Sequence, residues 1–481
     1  MNNIKNNKRK SILANIVIIF LLVGYTFLVM PIELAIKHDL LNTFLFLLIA
    51  LWSIIGITIS SNKRPYSVDL VHWLFIYFFI FCGGINQFAN EKYCWALNPN
   101  LKEITIANML IILWCFFYSF SKIFKIRFKN KKNNALRKNF SFSYDINVQS
   151  FSLILSILLL IGLLTIYKYG FGSLFIRSVH NNNNIISNSN SQSIISLVTS
   201  LITGFCMWLL NSALISYRVK KNNKYLILAL LSTITCLINV PPTGVARFVT
   251  GTVYGGVLIS NYKNLKKNYI FPFVIVFSIL VVFPFLNIFR GLTFDGNINK
   301  FSDLVNFIES GNYTDENRYL HADYDAYSMI VYCVRYCDLF DITYCRQLLG
   351  VLLFFIPRKI WSGKPYGSGA TIINTLQPSI PSNVSCPLIA EGFINMGIIG
   401  VILFSFIFGV ITKKIDSLFW DEYNDDVSFN SMIYSCLVPF TMFILRGDLL
   451  STFSYLIGFV VSLMIFAKFV IMTRSNKGVN I

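Results

Sequence analysis

The stretch SILANIVIIFLLVGYTFLVM, Ser11–Met30, carries no charge. As a helix rising 1.5 Å per residue it would be about 30 Å long, the thickness of a bilayer's hydrocarbon core, so it reads as a membrane span. Lys5, Lys8, Arg9 and Lys10 precede it, but the stretch is longer than a signal-peptide core. It ends in Met30 and Pro31 without a small-residue cleavage site, so a retained first span is expected. Segments of the same kind recur near 40–60, 68–88, 104–123, 147–167, 193–216, 225–240, 243–260, 269–289, 388–411, 429–446 and 450–472. The expectation is therefore an all-α polytopic membrane protein, one integral domain over 1–481 with about twelve transmembrane helices.

Composition agrees: 55% of the 481 residues are hydrophobic and 13% charged, which excludes a soluble enzyme. The net charge of +19 would suit nucleic acid, yet the lysines and arginines stand in short runs between apolar segments. That is how cytoplasmic loops face anionic lipid, so membrane lipid and no nucleic acid are the expected partners. Runs at the amino terminus, Lys63–Arg64, 122–138, 218–224, 263–267, Lys413–Lys414 and Arg474–Lys477 fall on alternate links, which by the positive-inside rule puts both termini in the cytoplasm. The ten cysteines lack metal-type CxxC spacing. Cys333, Cys337, Cys345 and Cys386 lie in an expected outer loop, where a disulfide remains open.

That loop, 290–387, separates the ninth and tenth spans on the outer side, and a loop so long is usually functional. Within it 325–340 and 346–356 look helical, lying on the membrane surface or plugging back into the bundle, with 346–356 too short to span. A polar tract, NNNNIISNSNSQS at Asn181–Ser193, reads as a flexible outer link.

Arginines on the outer side run against the charge bias, which singles out Arg247, Arg290, Arg358 and Arg446. Each alone reads equally well as an interfacial side chain snorkelling to water. Four guanidinium groups at one depth, however, repel one another unless an anion sits among them. Diphosphate suits them, because the guanidinium fork matches phosphate oxygens two at a time. Glu391, with Asn395 one turn on, stands at the start of the tenth span, either as a salt-bridge partner or as a partly desolvated general base. In RYLHADYDAYSM, Arg318, His321, Asp323 and Asp325 stand together. The D-x-D pair reads as a metal ligand set, a helix cap or a sugar contact, and no metal or other cofactor is expected. Tyr319, Tyr324, Tyr327, Trp361 and Tyr366 offer flat faces to a sugar.

In order along the chain, PPTGVARF, FPFLNIFRG, HADYDAY, LLGVLLFFIPRKIWSGKPYGSG, AEGFINMGIIG and LRGDLL resemble the Wzy-type polymerases of O-antigen and related oligosaccharide repeat units over about 235–450. The resemblance implies an enzyme of lipopolysaccharide and surface-polysaccharide biosynthesis in the bacterial inner membrane. Such an enzyme transfers a growing glycan from undecaprenyl diphosphate to the non-reducing end of an incoming undecaprenyl-diphosphate-linked unit, in company with a flippase and a chain-length regulator. On that footing Arg247, Arg290, Arg358 and Arg446 share the diphosphates with Lys364 assisting, and Glu391 takes the hydroxyl proton ahead of His321 and Asp323. Tyr324, Trp361 and Tyr366 would meet sugar. A lipid-linked oligosaccharide flippase is the rival of another class and predicts cations at the midplane. An O-antigen ligase shares the donor, and spans and charges do not separate it from a polymerase.

Overall fold

A computed structural model describes residues 2–64, 66–124, 145–169, 192–242, 244–261, 319, 322–380, 384–421 and 429–472. The described chain is helical apart from a two-residue antiparallel pairing of Asp145–Ile146 with Ile471–Met472. Helices α1 (Asn2–Val29), α2 (Ile32–His38), α3 (Leu40–Lys63), α4 (Val68–Ala89), α5 (Leu101–Ser121), α6 (Val148–Tyr169), α7 (Gln192–Lys220), α8 (Asn223–Asn239) and α9 (247–261) are followed by three short ones, α10 (Ala326–Phe340), α11 (Arg346–Leu352) and α12 (Ser368–Leu376). Helices α13 (Leu388–Asp421), α14 (Phe429–Arg446) and α15 (Leu449–Phe469) complete the order.

Among the described residues seven helices are long and apolar enough to cross a membrane, those in α3, α4, α5, α6, α7, α13 and α15. Counting the pair Ile16–Val29 and Ile32–His38, bent by 55°, as one span brings the number to eight. Helices also stand where the seventh, eighth and eleventh spans are expected, but α8, α9 and α14 are shorter. The expected ninth span, 269–289, lies outside the described residues, as do 290–318 and most of the polar tract, 181–191.

Helix ends follow local chemistry. Ser67 Oγ accepts from Leu70 N (3.0 Å) at the start of α4, and Asn100 with Glu103 forms a reciprocal capping box on α5. Two buried clusters result. One joins α1–α5 to α10, α12 and α13; the other joins α6–α9 to α15. Two helices bridge them: α14 contributes Tyr434, Val438 and Leu445 to the first and Met432 and Cys436 to the second, and α9 adds Ile259 to the first. Because lipid is as apolar as leucine, helices in a bilayer associate through close approach of small residues. Ser200 and Gly204 of α7 meet Gly458 and Ser462 of α15 in that way: a Cβ on Gly458 would stand 2.7 Å from Ser200 Cβ. Gly256 on α9 backs onto Cys436 of α14 with equal closeness.

Two features build the loop end of the bundle, where α5, α9 and α15 begin. First, α10 is not a surface helix but a plug: every residue from Ala326 to Val334 is buried against α4, α5, α12 and α13. Its apolar run YSMIVYCV is surrounded on all sides, which settles the open choice between surface and interior. Arg335 fastens its far half, with Nε and Nη2 each 2.8 Å from the Glu103 carboxylate and Nη2 also donating to Asn98 O (2.6 Å). Tyr327 Oη donates to Asn108 Oδ1 (3.1 Å) deeper in.

Second, α13 is not one straight span. Met396 and Gly397 break it, Gly397 at φ +61°, a value that suits glycine. Eight residues of straight helix would separate Gly392 from Gly400 by about 12 Å. Instead a Cβ on Gly392 would meet Gly400 O at 2.8 Å, so 388–395 folds back on the helix that follows. The carbonyls freed at the break accept from Thr343 N (2.7 Å, Ile394 O) and Cys345 N (3.1 Å, Asn395 O). Glu391 and Asn395 do share one helical turn, but in this folded-back half-helix rather than at the head of the span.

Candidate functional site

Arg247 opens α9 and Arg446 closes α14, and the stacked rings of Phe248 and Phe443 (centroids 3.5 Å apart) hold these two helix ends side by side. Both arginines turn to the short turn before α10. Arg247 pairs with Asp323, and Arg446 Nη2 lies 3.0 Å from Asp325 Oδ1. Asp323 is also within electrostatic reach of Arg446. Asp325 is 1% exposed and accepts from four groups: Arg446, Trp95 Nε1 (3.1 Å), Ser385 N (3.2 Å) and Ser385 Oγ (2.7 Å). The turn itself is pinned by Gln87, whose Nε2 donates to the carbonyls of Tyr319 (2.8 Å) and Tyr324 (3.0 Å).

A second acidic pair adjoins the first through Ser385 and Cys386. Glu391, 1% exposed, accepts from Ser368 Oγ (2.7 Å) and Leu449 N (2.9 Å). Asp448 accepts from Leu450 N (2.9 Å) and Gly369 N (3.0 Å). Two carboxyl groups thus meet the first amides of α15, where the unpaired N–H groups and the helix dipole favour negative charge. Gly367 has no room for a side chain, since a Cβ would lie 2.6 Å from the Asp448 carboxyl carbon. Burial pushes the Asp448 carboxyl above the usual aspartate range.

The cationic stretch FFIPRKIWSGKPYGSG, Phe354–Gly369, holds itself. Lys364, buried, donates to Phe354 O (2.6 Å) and Ile356 O (2.9 Å), while Arg358 donates to Lys364 O and to Pro365 O (3.1 Å). Burial and the neighbouring Arg358 charge lower the Lys364 pKa. The Arg358 guanidinium lies 3.9 Å over the Tyr366 ring and so covers one of the faces expected to meet sugar. This knot rigidifies 354–366 and delivers Ser368 and Gly369 to Glu391 and Asp448. Trp361 is part-exposed on the same turn. Tyr324 is core: its ring stacks on Phe79 at 5.4 Å and meets Tyr319 edge-on at 4.9 Å.

Of the residues singled out by sequence, then, Arg247, Arg446 and Asp323 come together with Glu391 close by. Arg358, Lys364 and Tyr366 form a separate knot, and Arg290 and His321 lie outside the described residues. Asp323 and Asp325 supply negative charge beside the two arginines, which corrects the expectation that only a bound anion could offset them. Asp325, named in sequence only as half of the D-x-D pair, and Asp448, which caps the start of α15, complete the network together with Trp95, Ser385 and Ser368, which the sequence did not single out. None of the ten cysteines forms a disulfide, and no group of three metal-ligating side chains stands together among the described residues. No protein-family model, curated protein or solved structure matches the chain.

Proposed function

We propose that this protein polymerises lipid-linked oligosaccharide repeat units at the outer face of a bacterial inner membrane, as the Wzy-type resemblance implies. The same reading takes the chain to have twelve spans, both termini in the cytoplasm and 290–387 outside, which places the loop end in the periplasm. Its substrates are undecaprenyl-diphosphate-linked glycans supplied by a flippase, with a chain-length regulator as companion.

The observation that carries the reading is the convergence of Arg247 and Arg446, from two separate helices, on one acidic turn at the loop end. In the reaction a hydroxyl of the incoming unit attacks the anomeric carbon of the growing chain. The bond from that carbon to the diphosphate oxygen breaks, the lipid diphosphate leaves with the electron pair, and the hydroxyl proton passes to a base. Arg247 and Arg446 offset the charge that grows on the departing diphosphate. Asp323, 27% exposed, is the more open carboxylate of the acidic turn, whereas Glu391 is enclosed and serves to hold the α15 turn. The position of the arginines near helix ends, rather than at the midplane, favours this reading over a transporter.

The test is complementation of a deletion strain that makes the polymer. Loss of one such arginine removes roughly 3 to 4 kcal/mol of transition-state stabilisation, a rate loss of about 10² to 10³. Arg247→Ala and Arg446→Ala are expected to display a single repeat unit and no ladder of chain lengths. Full ladders from both refute the assignment, and loss of even the single unit points to a ligase.

A further inference from the structure

Arg247 and Arg446 engage the acidic turn unequally. Asp325 is enclosed and receives four hydrogen bonds, whereas Asp323 and Arg247 are 27% and 18% exposed. Arg247 Nε, like Arg446 Nε, is buried and finds no hydrogen-bond acceptor among the described residues, so what separates the two pairs is that Asp323 is open where Asp325 is enclosed. A guanidinium presents its donors as a fork suited to two oxygens of one anion, so the Asp323 carboxylate leaves an edge of Arg247 unused. A partly exposed ion pair is also weak, and therefore exchangeable.

We infer that Asp323 is an internal occupant of an anion site on Arg247, displaced when the diphosphate head of a prenyl-linked ligand arrives, while Asp325 keeps Arg446 in place. The ligand's chemistry rests on the function proposed above; the exchange itself rests on the geometry. A diphosphate carries more charge than one carboxylate and has oxygens enough to satisfy Nε as well as the terminal nitrogens. Once displaced from Arg247, Asp323 stands beside the ligand, which is where a proton acceptor in the reaction is required. The exchange would thus couple donor arrival to release of the base, and an empty enzyme would hold both groups idle.

Full-length protein in nanodiscs is titrated with farnesyl diphosphate and, in a parallel arm, with inorganic pyrophosphate. Asp323→Asn and Asp323→Ser remove the competing charge and are expected to bind farnesyl diphosphate about three- to fivefold more tightly than the parent, the upper part of the scale of one partly exposed ion pair. Asp323→Glu keeps the charge and is expected to stay within about twofold of the parent. In the unmodified protein, farnesyl diphosphate is expected to shield Arg247 from phenylglyoxal. Unchanged or weaker binding by both neutral variants, or an unshielded Arg247, overturns the exchange. Equal affinity for the two probes overturns a lipid-borne ligand. Normal ladders from Arg247→Ala cells would sink the polymerase reading, while the binding arms would still decide the exchange alone.

Discussion

Replacing Asp325 by asparagine tests whether the acidic turn is a built site or a chance meeting of charges. All four groups around the carboxylate donate: Arg446 and Ser385 Oγ to Oδ1, Trp95 Nε1 and Ser385 N to Oδ2. An asparagine amide nitrogen must therefore face a donor whichever way it is turned, and the Arg446 charge loses its enclosed partner. Breaking a buried ion pair from one side costs about 3–5 kcal/mol. Arg446 is 30% exposed and keeps some water, so the low end, about 3 kcal/mol, applies. That corresponds to roughly two orders of magnitude in the equilibrium for opening the turn. Cys94 and Cys386, both buried and within the electrostatic reach of Asp325, report that opening through their alkylation rates, read peptide by peptide in detergent-solubilised protein. Asp325→Asn should accelerate labelling of both by about 10², with Cys206 and Cys236 in the other core cluster unaffected. Adding Arg446→Met should recover more than about 1 kcal/mol, because removing both charges costs less than orphaning one. Labelling within about twofold of the parent would refute the reasoning, since a carboxylate with four donors would then contribute nothing.

Gly397→Val should destabilise the protein by about 1–3 kcal/mol in the same labelling assay, because φ +61° strains a β-branched residue. Gly24→Ala, with open space around its Cβ, serves as the neutral control. Arg358→Ala should loosen 354–366, seen as faster amide exchange there, and Arg358→Lys should not restore it, since an ammonium cannot reach two carbonyls and a ring face together. The raised Asp448 carboxyl binds its proton more tightly folded than unfolded. Stability should be greatest below the ordinary aspartate pKa and should fall as pH rises toward the folded value, a slope that Asp448→Asn should flatten in pH-dependent unfolding.

What could be read from sequence, and what could not, divides along the range of the forces involved. Apolar length is a local property, and helices stand at every expected span position within the described residues. The convergence of Arg247 with Arg446 was visible only as a breach of the charge rule, because 199 positions separate them and the Phe248–Phe443 stack that joins them has no sequence signature. The break at Gly397 was unreadable for a different reason: IIGVILF continues the apolar run as if the helix were straight, and a glycine in a membrane helix is ordinary. The cationic knot misled in an instructive direction. Arg358 was singled out as an outer-side cation against the charge bias, with Lys364 assisting, but both donate to backbone carbonyls, acceptors that every sequence contains and none displays. Such carbonyls also explain why Lys364 can be buried without a carboxylate beside it. A search for anion sites in chains of this kind therefore does better to ask which arginine keeps a donor edge without an acceptor than to stop at which arginine breaks the charge bias. Arg247 and Arg446 both stand out by that question: Asp323 and Asp325 stand against them, yet the buried Nε of each has no acceptor among the described residues.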